Sequence, residues 1–212
     1  MSVVKARIPI LHNGDELTRD EFEHRYEAMP GVKAELIEGV VYMASPVTFN
    51  HGRPHSWLQS LLGYYAIQTR GTECVNNTTV RLATKSEPQP DLTLLILPSH
   101  GGRTTLSRKG YVEGAPELVV EIAYSTASLD AKAKKRAYLA AGVDEYILYR
   151  VEDEAIDWFH IVVGKYEMLA PDADGLTRSR VFPGLALDLA AILRGDMQAA
   201  VARLQAEIAG RA

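Results

Sequence analysis

Apolar positions along the chain switch between a helical period and a strand period, and the switches mark its elements. Thr18 followed by Glu21 in LTRDEFEHRYEAMPG is a capping-box signal, and Pro30-Gly31 closes the short helix it opens. KAELIEGVVYMASP reads as two short strands joined by a tight turn at Glu38-Gly39. Trp57, Leu58, Leu61, Leu62 and Tyr65 recur at helical spacing and predict a long helix with one apolar face. Proline is tolerated in a first turn, so this helix is expected to begin near Pro54. TECVNNTTVRLA and QPDLTLLILP predict further strands. They are followed over 99–115 by a loop rich in Gly, Ser, Thr and Arg, expected to be mobile. PELVVEI is the next strand, and a helix over about 128–141 follows, stopped by Gly142 at a C-cap position. DEYILYR is another strand, and AIDWFHIVVGKYEMLAP a hairpin turning at Gly164. The tail over 187–209 is predicted helical, with Leu189, Ile192, Leu193, Val201, Leu204 and Ile208 available for packing.

Strands and helices therefore mix in an α/β or α+β order, with no linker dividing the 212 residues, so a single domain over 1–212 is expected. Hydrophobic residues make up 47% and charged residues 24%, which is ordinary for a globular protein. No apolar run approaches the ~18 residues needed to cross a bilayer, and the N-terminus lacks the pattern of a secretory leader. Cys74 is the only cysteine, which excludes an intramolecular disulfide and a thiolate zinc cluster. A cytoplasmic location is the expectation. The net charge of −4 means that general basicity is not the basis of any nucleic-acid binding, while a local positive patch stays open.

The chemistry begins with Glu121. In PELVVEI, Leu118, Val120 and Ile122 point to one side of the strand while Val119 and Glu121 point to the other, so both faces are largely apolar. A carboxylate there costs several kcal/mol unless it meets a cation, donors or water at the strand end. Asp91 opens an apolar strand directly after Pro90, where it either makes an Asx turn or faces a neighbouring strand. If the two strands are neighbours, Asp91 and Glu121 can offer oxygens to one hard cation such as magnesium. Asp130, Lys134 and Tyr138 are spaced i, i+4, i+8 and share a helical stripe, whereas Lys132, Lys135 and Arg136 fall elsewhere. That helix is either an exposed one carrying a weak Asp130–Lys134 pair or the carrier of a lysine into the same site.

These residues, taken in order, resemble the Uma family of putative restriction endonucleases within the PD-(D/E)XK nuclease superfamily. The match runs over most of the chain. It is carried by AELIEGVVYMASP, by His51 in FNHGRPHSWL, by QPDL, by PELVVEIAYSTAS and by KKRAYLAAGVDEYILYR. The resemblance implies a restriction-endonuclease-like fold: a mixed central sheet flanked by helices, with an N-terminal strand pair and a C-terminal helix. The core would span about 18–186 and a helical tail 187–212. It implies metal-dependent phosphodiester hydrolysis with Mg2+ or Mn2+, Asp91 as the PD aspartate and Glu121 as the acidic residue of the E-x-K element. Position 123 departs from that element, because Ala123 stands where the lysine is expected, and Lys134 on the next helix occupies the matching role. Asp91, Glu121 and the backbone carbonyl of Ile122 would hold the metal, and Lys134 would orient water or stabilise phosphoryl charge. Glu35 or Glu38 matches the N-terminal acidic residue, Glu35 the better of the two. With His51 and Tyr138 it completes the accessory set. Nucleic acid, DNA first, is the implied partner, with a homodimer and no membrane. A catalytically idle binding or interaction module of the same fold is the alternative, and a hydrolase of another phosphate ester stays open.

Other motifs carry less. His51 and His55 lie four apart, but no Glu follows His51 as a zinc-protease motif requires. Ser125, Thr126 and Ser128 lack a nucleophile elbow and read as turn and cap residues. Gly101 and Gly102 precede no G-K-[ST]. Arg103, Arg108 and Lys109 are candidates for backbone phosphates, with a solvated loop as the plain reading.

Overall fold

The computed structural model describes residues 7–82, 85–123 and 129–211. In chain order the elements are α1 (Arg19–Glu27), β1 (Ala34–Ile37), β2 (Val40–Met43), α2 (Phe49–Gln68), β3 (Thr72–Asn76), β4 (Val80–Arg81), β5 (Leu92–Ile96), β6 (Thr105–Leu106), β7 (Val112–Glu113), β8 (Leu118–Ala123), α3 (Leu129–Ala141), β9 (Glu145–Arg150), β10 (Ala155–Val162), β11 (Lys165–Met168), β12 (Thr177–Arg178), β13 (Ala186–Leu187), α4 (Leu189–Arg194) and α5 (Met197–Ala209).

Six strands form the central sheet in the order β11-β10-β9-β8-β5-β3. β8 and β9 run parallel, joined through α3, and every other neighbouring pair is antiparallel. The middle strands are buried on both faces, which is why they read as near-continuous apolar runs. On one face Leu92, Leu94, Leu118, Val120, Ile147 and Trp158 meet Leu58, Leu61, Leu62 and Tyr65 of α2 and Ala200 and Leu204 of α5. On the other, Val119, Tyr146, Leu148 and Phe159 pack with Tyr138 of α3.

The N-terminal hairpin is a separate small layer. Glu38 and Gly39 both take positive φ, 52° and 88°, the turn that the right-handed twist of two short strands favours. Leu36 exchanges backbone hydrogen bonds with Glu87, which ties the hairpin to the segment entering β5. Ile37 also packs on Ala133 and Ala137 of α3. The hairpin thus bridges two parts of the chain that flank the centre of the sheet.

Several sequence expectations need correcting. α2 starts at Phe49, five residues before Pro54. The proline removes one bond of the helical ladder, and the short turn ahead of it is anchored from outside by the His51 and His55 contacts described below. TECVNNTTVRLA is two strands, because Asn77 turns the chain with φ 48° between β3 and β4. The segment 99–115 is not one irregular loop: it folds β6 and β7 onto β4 as a three-stranded sheet, with Thr104 and Val112 buried. The tail is not one helix either. Leu187 belongs to β13, and Gly195 at φ 77° ends α4 before Asp196 caps α5 by accepting from the Ala199 amide at 3.1 Å. Among the described residues no helix is long and apolar enough to cross a membrane.

Candidate active site

The register of β5 on β8 brings the two carboxylates together. Leu92 faces Val120 and Thr93 faces Val119, so one step further along the ladder Asp91 and Glu121 are next. Strand alternation puts both on the side of Thr93 and Val119, which α3 covers. A cavity of about 600 Å³ opens there, and Glu35, His51, His55, Asp91, Glu121 and Lys134 all line it. Asp91 is 8% exposed, and Glu121 and Lys134 are each 7% exposed. The solvent-reaching reading of Glu121 and the exposed-helix reading of Lys134 therefore fail. The side chain of Asp130, and Ser125, Thr126 and Ser128, lie outside the described residues.

Each functional group is held from more than one direction. Oδ2 of Asp91 accepts from the Ile122 amide at 2.7 Å, and its Oδ1 lies 3.2 Å from Nε2 of His51. His55 Nε2 meets the Asp91 carbonyl at 3.1 Å, with the two imidazoles stacked. Asp91 is consequently not an Asx turn, and the histidine pair serves the aspartate rather than zinc. Lys134 sits between two carboxylates, 2.8 Å from Oε2 of Glu35 and 3.2 Å from Oε2 of Glu121. Tyr138, one turn further along α3, donates to Oε1 of Glu121 at 2.5 Å. Glu35 is fixed in turn by the Gln89 amide at 2.5 Å. Glu38, the other N-terminal candidate, pairs with Arg136 outside the cavity at 2.7 Å.

Burial dominates the electrostatics. It pushes the Glu121 carboxyl up to about 8; the Lys134 ammonium opposes this, while the Asp91 and Glu35 charges add to it. Burial alone would also raise Asp91. The His51 ring, the Ile122 amide and the Lys134 charge together outweigh it and hold that carboxyl below its usual range. Burial raises Tyr138 well above its normal value, so the phenol stays a hydrogen-bond donor to Glu121.

The donors present are oxygens of the hard type. Lys134 pairs with Glu35 and Glu121, and Asp91 lies in the same cavity, so acidic groups outnumber the one ammonium there, an imbalance that a small divalent cation would relieve. Ile122 sends its carbonyl to the same lateral side as the amide that Asp91 binds, as residues of extended strands do. Among the described residues no group of three or more His, Cys, Asp or Glu stands at metal-holding spacing. Magnesium is commonly held by one or two carboxylates plus waters and phosphate, so two carboxylates and a carbonyl suit it. The site fits such an ion.

Sequence reasoning missed Gln89, whose amide anchors Glu35 and whose side chain donates to Ala34 and to Tyr26. Its only signal is its position between Pro88 and Pro90, neither of which has an N–H to offer. It also missed Lys33 and Asn77, which join across the cavity wall at 2.6 Å. The loop cations lie elsewhere and are engaged: Arg103 with Asp144 at 2.6 Å, and Lys109 with Glu27.

A mixed central sheet flanked by helices, with Asp91 at the entry of β5 beside Glu121 near the end of β8, gives the chain a restriction-endonuclease-like fold. Comparison with known families agrees. The Uma2 family, described as a putative restriction endonuclease, matches residues 19–190, and the chain belongs to that family. Among solved structures, it resembles a putative nuclease of the DUF820 family from Anabaena variabilis with a TM-score of 0.64. That match covers 84% of this chain and 99% of the other at 19% identity, which is a likeness of fold. No curated protein matches the chain.

Proposed function

We propose that this protein is a metal-dependent endonuclease hydrolysing phosphodiester bonds of nucleic acid, with DNA the first polymer to test. The observation that carries the reading is the meeting of Asp91, Glu121 and Lys134 in one buried cavity of a chain in a nuclease family. Asp91, Glu121 and the Ile122 carbonyl would hold Mg2+ or Mn2+. When bound, the ion polarises the phosphate and lowers the pKa of its water.

The other residues act by position and charge. His51 and the Ile122 amide grip one oxygen each of Asp91, so the carboxylate keeps a single orientation. Tyr138 does the same for one oxygen of Glu121. Glu35, braced by Gln89, sets where the Lys134 amine stands. The ammonium offsets the buried carboxylates and stabilises charge growing on the phosphoryl oxygens in a water-poor site. Ala123 lines the same cavity with only a methyl group, so a lysine arriving from α3 meets the space its own strand leaves open.

The test is cleavage of plasmid and oligonucleotide substrates with Mg2+ or Mn2+ by wild type, Asp91→Ala and Lys134→Ala. Loss of at least two orders of magnitude in both variants is expected; activity that survives both ends the mechanism. The homodimer implied by the family resemblance is checked separately by sedimentation.

A further inference from the structure

Both Lys33 and Lys134 line the cavity, but their charges are placed differently. Lys134 lies between Glu35 and Glu121, so its charge is shared with two carboxylates. Lys33 is exposed, and among the described residues no carboxylate pairs with it. Its amine donates to Oδ1 of Asn77 at 2.6 Å, a neutral acceptor that is also exposed and also lines the cavity. An ammonium carries three donors and no acceptor, so this one bond restrains the side chain without cancelling its charge or using all its protons. The exposed pair marks the mouth of the cavity, and the buried Asp91 and Glu121 mark its floor. An uncompensated cation at the mouth gives an incoming anion a favourable point of entry.

The elements that build the site also position this pair. The Ala44 amide donates to the Lys33 carbonyl at 3.0 Å, which carries the β1–β2 ladder one step beyond the pairing of Ala34 with Met43. Strand alternation then puts Lys33 on the same face as Glu35, and both line the cavity. Asn77 turns the chain between β3 and β4 at φ 48°, a conformation that asparagine adopts more readily than most residues. Its backbone amide donates to the carbonyls of Pro90 at 3.1 Å and Asp91 at 3.3 Å. The side chain that holds Lys33 is therefore attached, through its own backbone, to the residue proposed as a metal ligand. A polynucleotide carries a phosphate at every residue, so one phosphate can lie at the cavity floor while another meets Lys33.

We infer that Lys33 binds a backbone phosphate of the polynucleotide at the cavity mouth and that Asn77 positions its amine there. This rests on the nuclease reading but is tested apart from it. Binding is measured by fluorescence anisotropy in EDTA across a salt series, with labelled duplex DNA, single-stranded DNA and single-stranded RNA. For the polymer that wild type binds most tightly, Lys33→Gln should weaken binding about two- to fivefold at low salt. It should also lower the slope of log affinity against log salt by about 0.7–0.9 in magnitude, as the loss of one phosphate contact does. Lys33→Arg should keep the wild-type slope. Asn77→Asp should lower it as Lys33→Gln does, because the new carboxylate pairs with the ammonium. All three variants should melt like wild type, since the pair is exposed. Wild type that binds none of the polymers, or Lys33→Gln with wild-type affinity and slope, overturns the inference. Asn77→Asp with the wild-type slope overturns the part given to Asn77. In cleavage with Mg2+ or Mn2+, Lys33→Gln should raise KM and leave kcat unchanged. Cleavage that needs Asp91, with KM unmoved in Lys33→Gln, sinks the inference and leaves the nuclease reading standing. Lys33-dependent binding with no cleavage of any polymer upholds the inference and sinks the hydrolytic reading.

Discussion

Replacing Lys134 by methionine keeps most of the side chain's volume and removes only its charge. Lys134 is 7% exposed, and its amine lies within 3.2 Å of the buried Glu121 carboxylate and the partly buried Glu35 carboxylate. Removing one partner of a buried ion pair typically costs about 3–5 kcal/mol, because the charge left behind stays desolvated. Here the cost depends on pH. Glu121 already holds its proton up to about 8, and without Lys134 it holds it more tightly. Below neutrality the variant therefore leaves mainly Glu35 uncompensated, and at pH 9 the variant must either desolvate both charges or take up a proton against the solution. A loss near 3 kcal/mol at high pH corresponds to about 6–12 °C in melting temperature for a chain of this size. Calorimetry of metal-free wild type and Lys134→Met from pH 6 to 9 should show a gap that widens with pH. Adding Glu35→Gln should recover part of it, since the two substitutions touch one network. A gap that is absent, or that does not change with pH, refutes the claim that this amine neutralises the cluster.

Three further outcomes are expected. Burial, with the Glu23 charge, lifts the Glu87 carboxyl to about 7 against the pull of Arg81. The folded state thus holds this proton above the unfolded value of about 4.5, so its contribution to stability declines as pH rises from about 4.5 to 7 and is level above. Glu87→Gln should flatten that part of the melting profile, and parallel profiles would contradict the assignment. Burial also raises the Cys74 thiol to about 11, so alkylation at pH 8 should run on the order of a hundredfold slower than for a free thiol and recover on denaturation. A Cβ at Gly102 would stand 1.6 Å from the Ile96 carbonyl oxygen, so Gly102→Ala must shift the end of β5. It should cost about 1–3 kcal/mol in urea unfolding, and an unchanged midpoint would show that the turn yields freely.

Local pattern made most of the elements legible. The central strands β5, β8 and β9 were read from their apolar runs, the hairpin turns from Glu38-Gly39 and Gly164, and the end of α3 from Gly142, because each depends on residues adjacent in the chain. The errors fell where distant contacts override local preference. Pro54 sits inside α2, in the stretch whose His51 and His55 contact Asp91 from a distant part of the chain. The Gly- and Thr-rich stretch forms strands because β4 offers it an edge.

The site divides in the same way. Pattern alone placed a carboxylate inside an apolar strand, a second at a strand entry and a lysine on the next helix, and a buried charge of that kind demands a partner. Which partner it takes is decided by the register of β5 on β8 and by the hairpin clamped to Glu87, because these bring residues 35, 91, 121 and 134 to one cavity. Sequence periodicity specifies which face a side chain takes, whereas its neighbours across a sheet depend on strand order and register, which arise only once the whole chain packs.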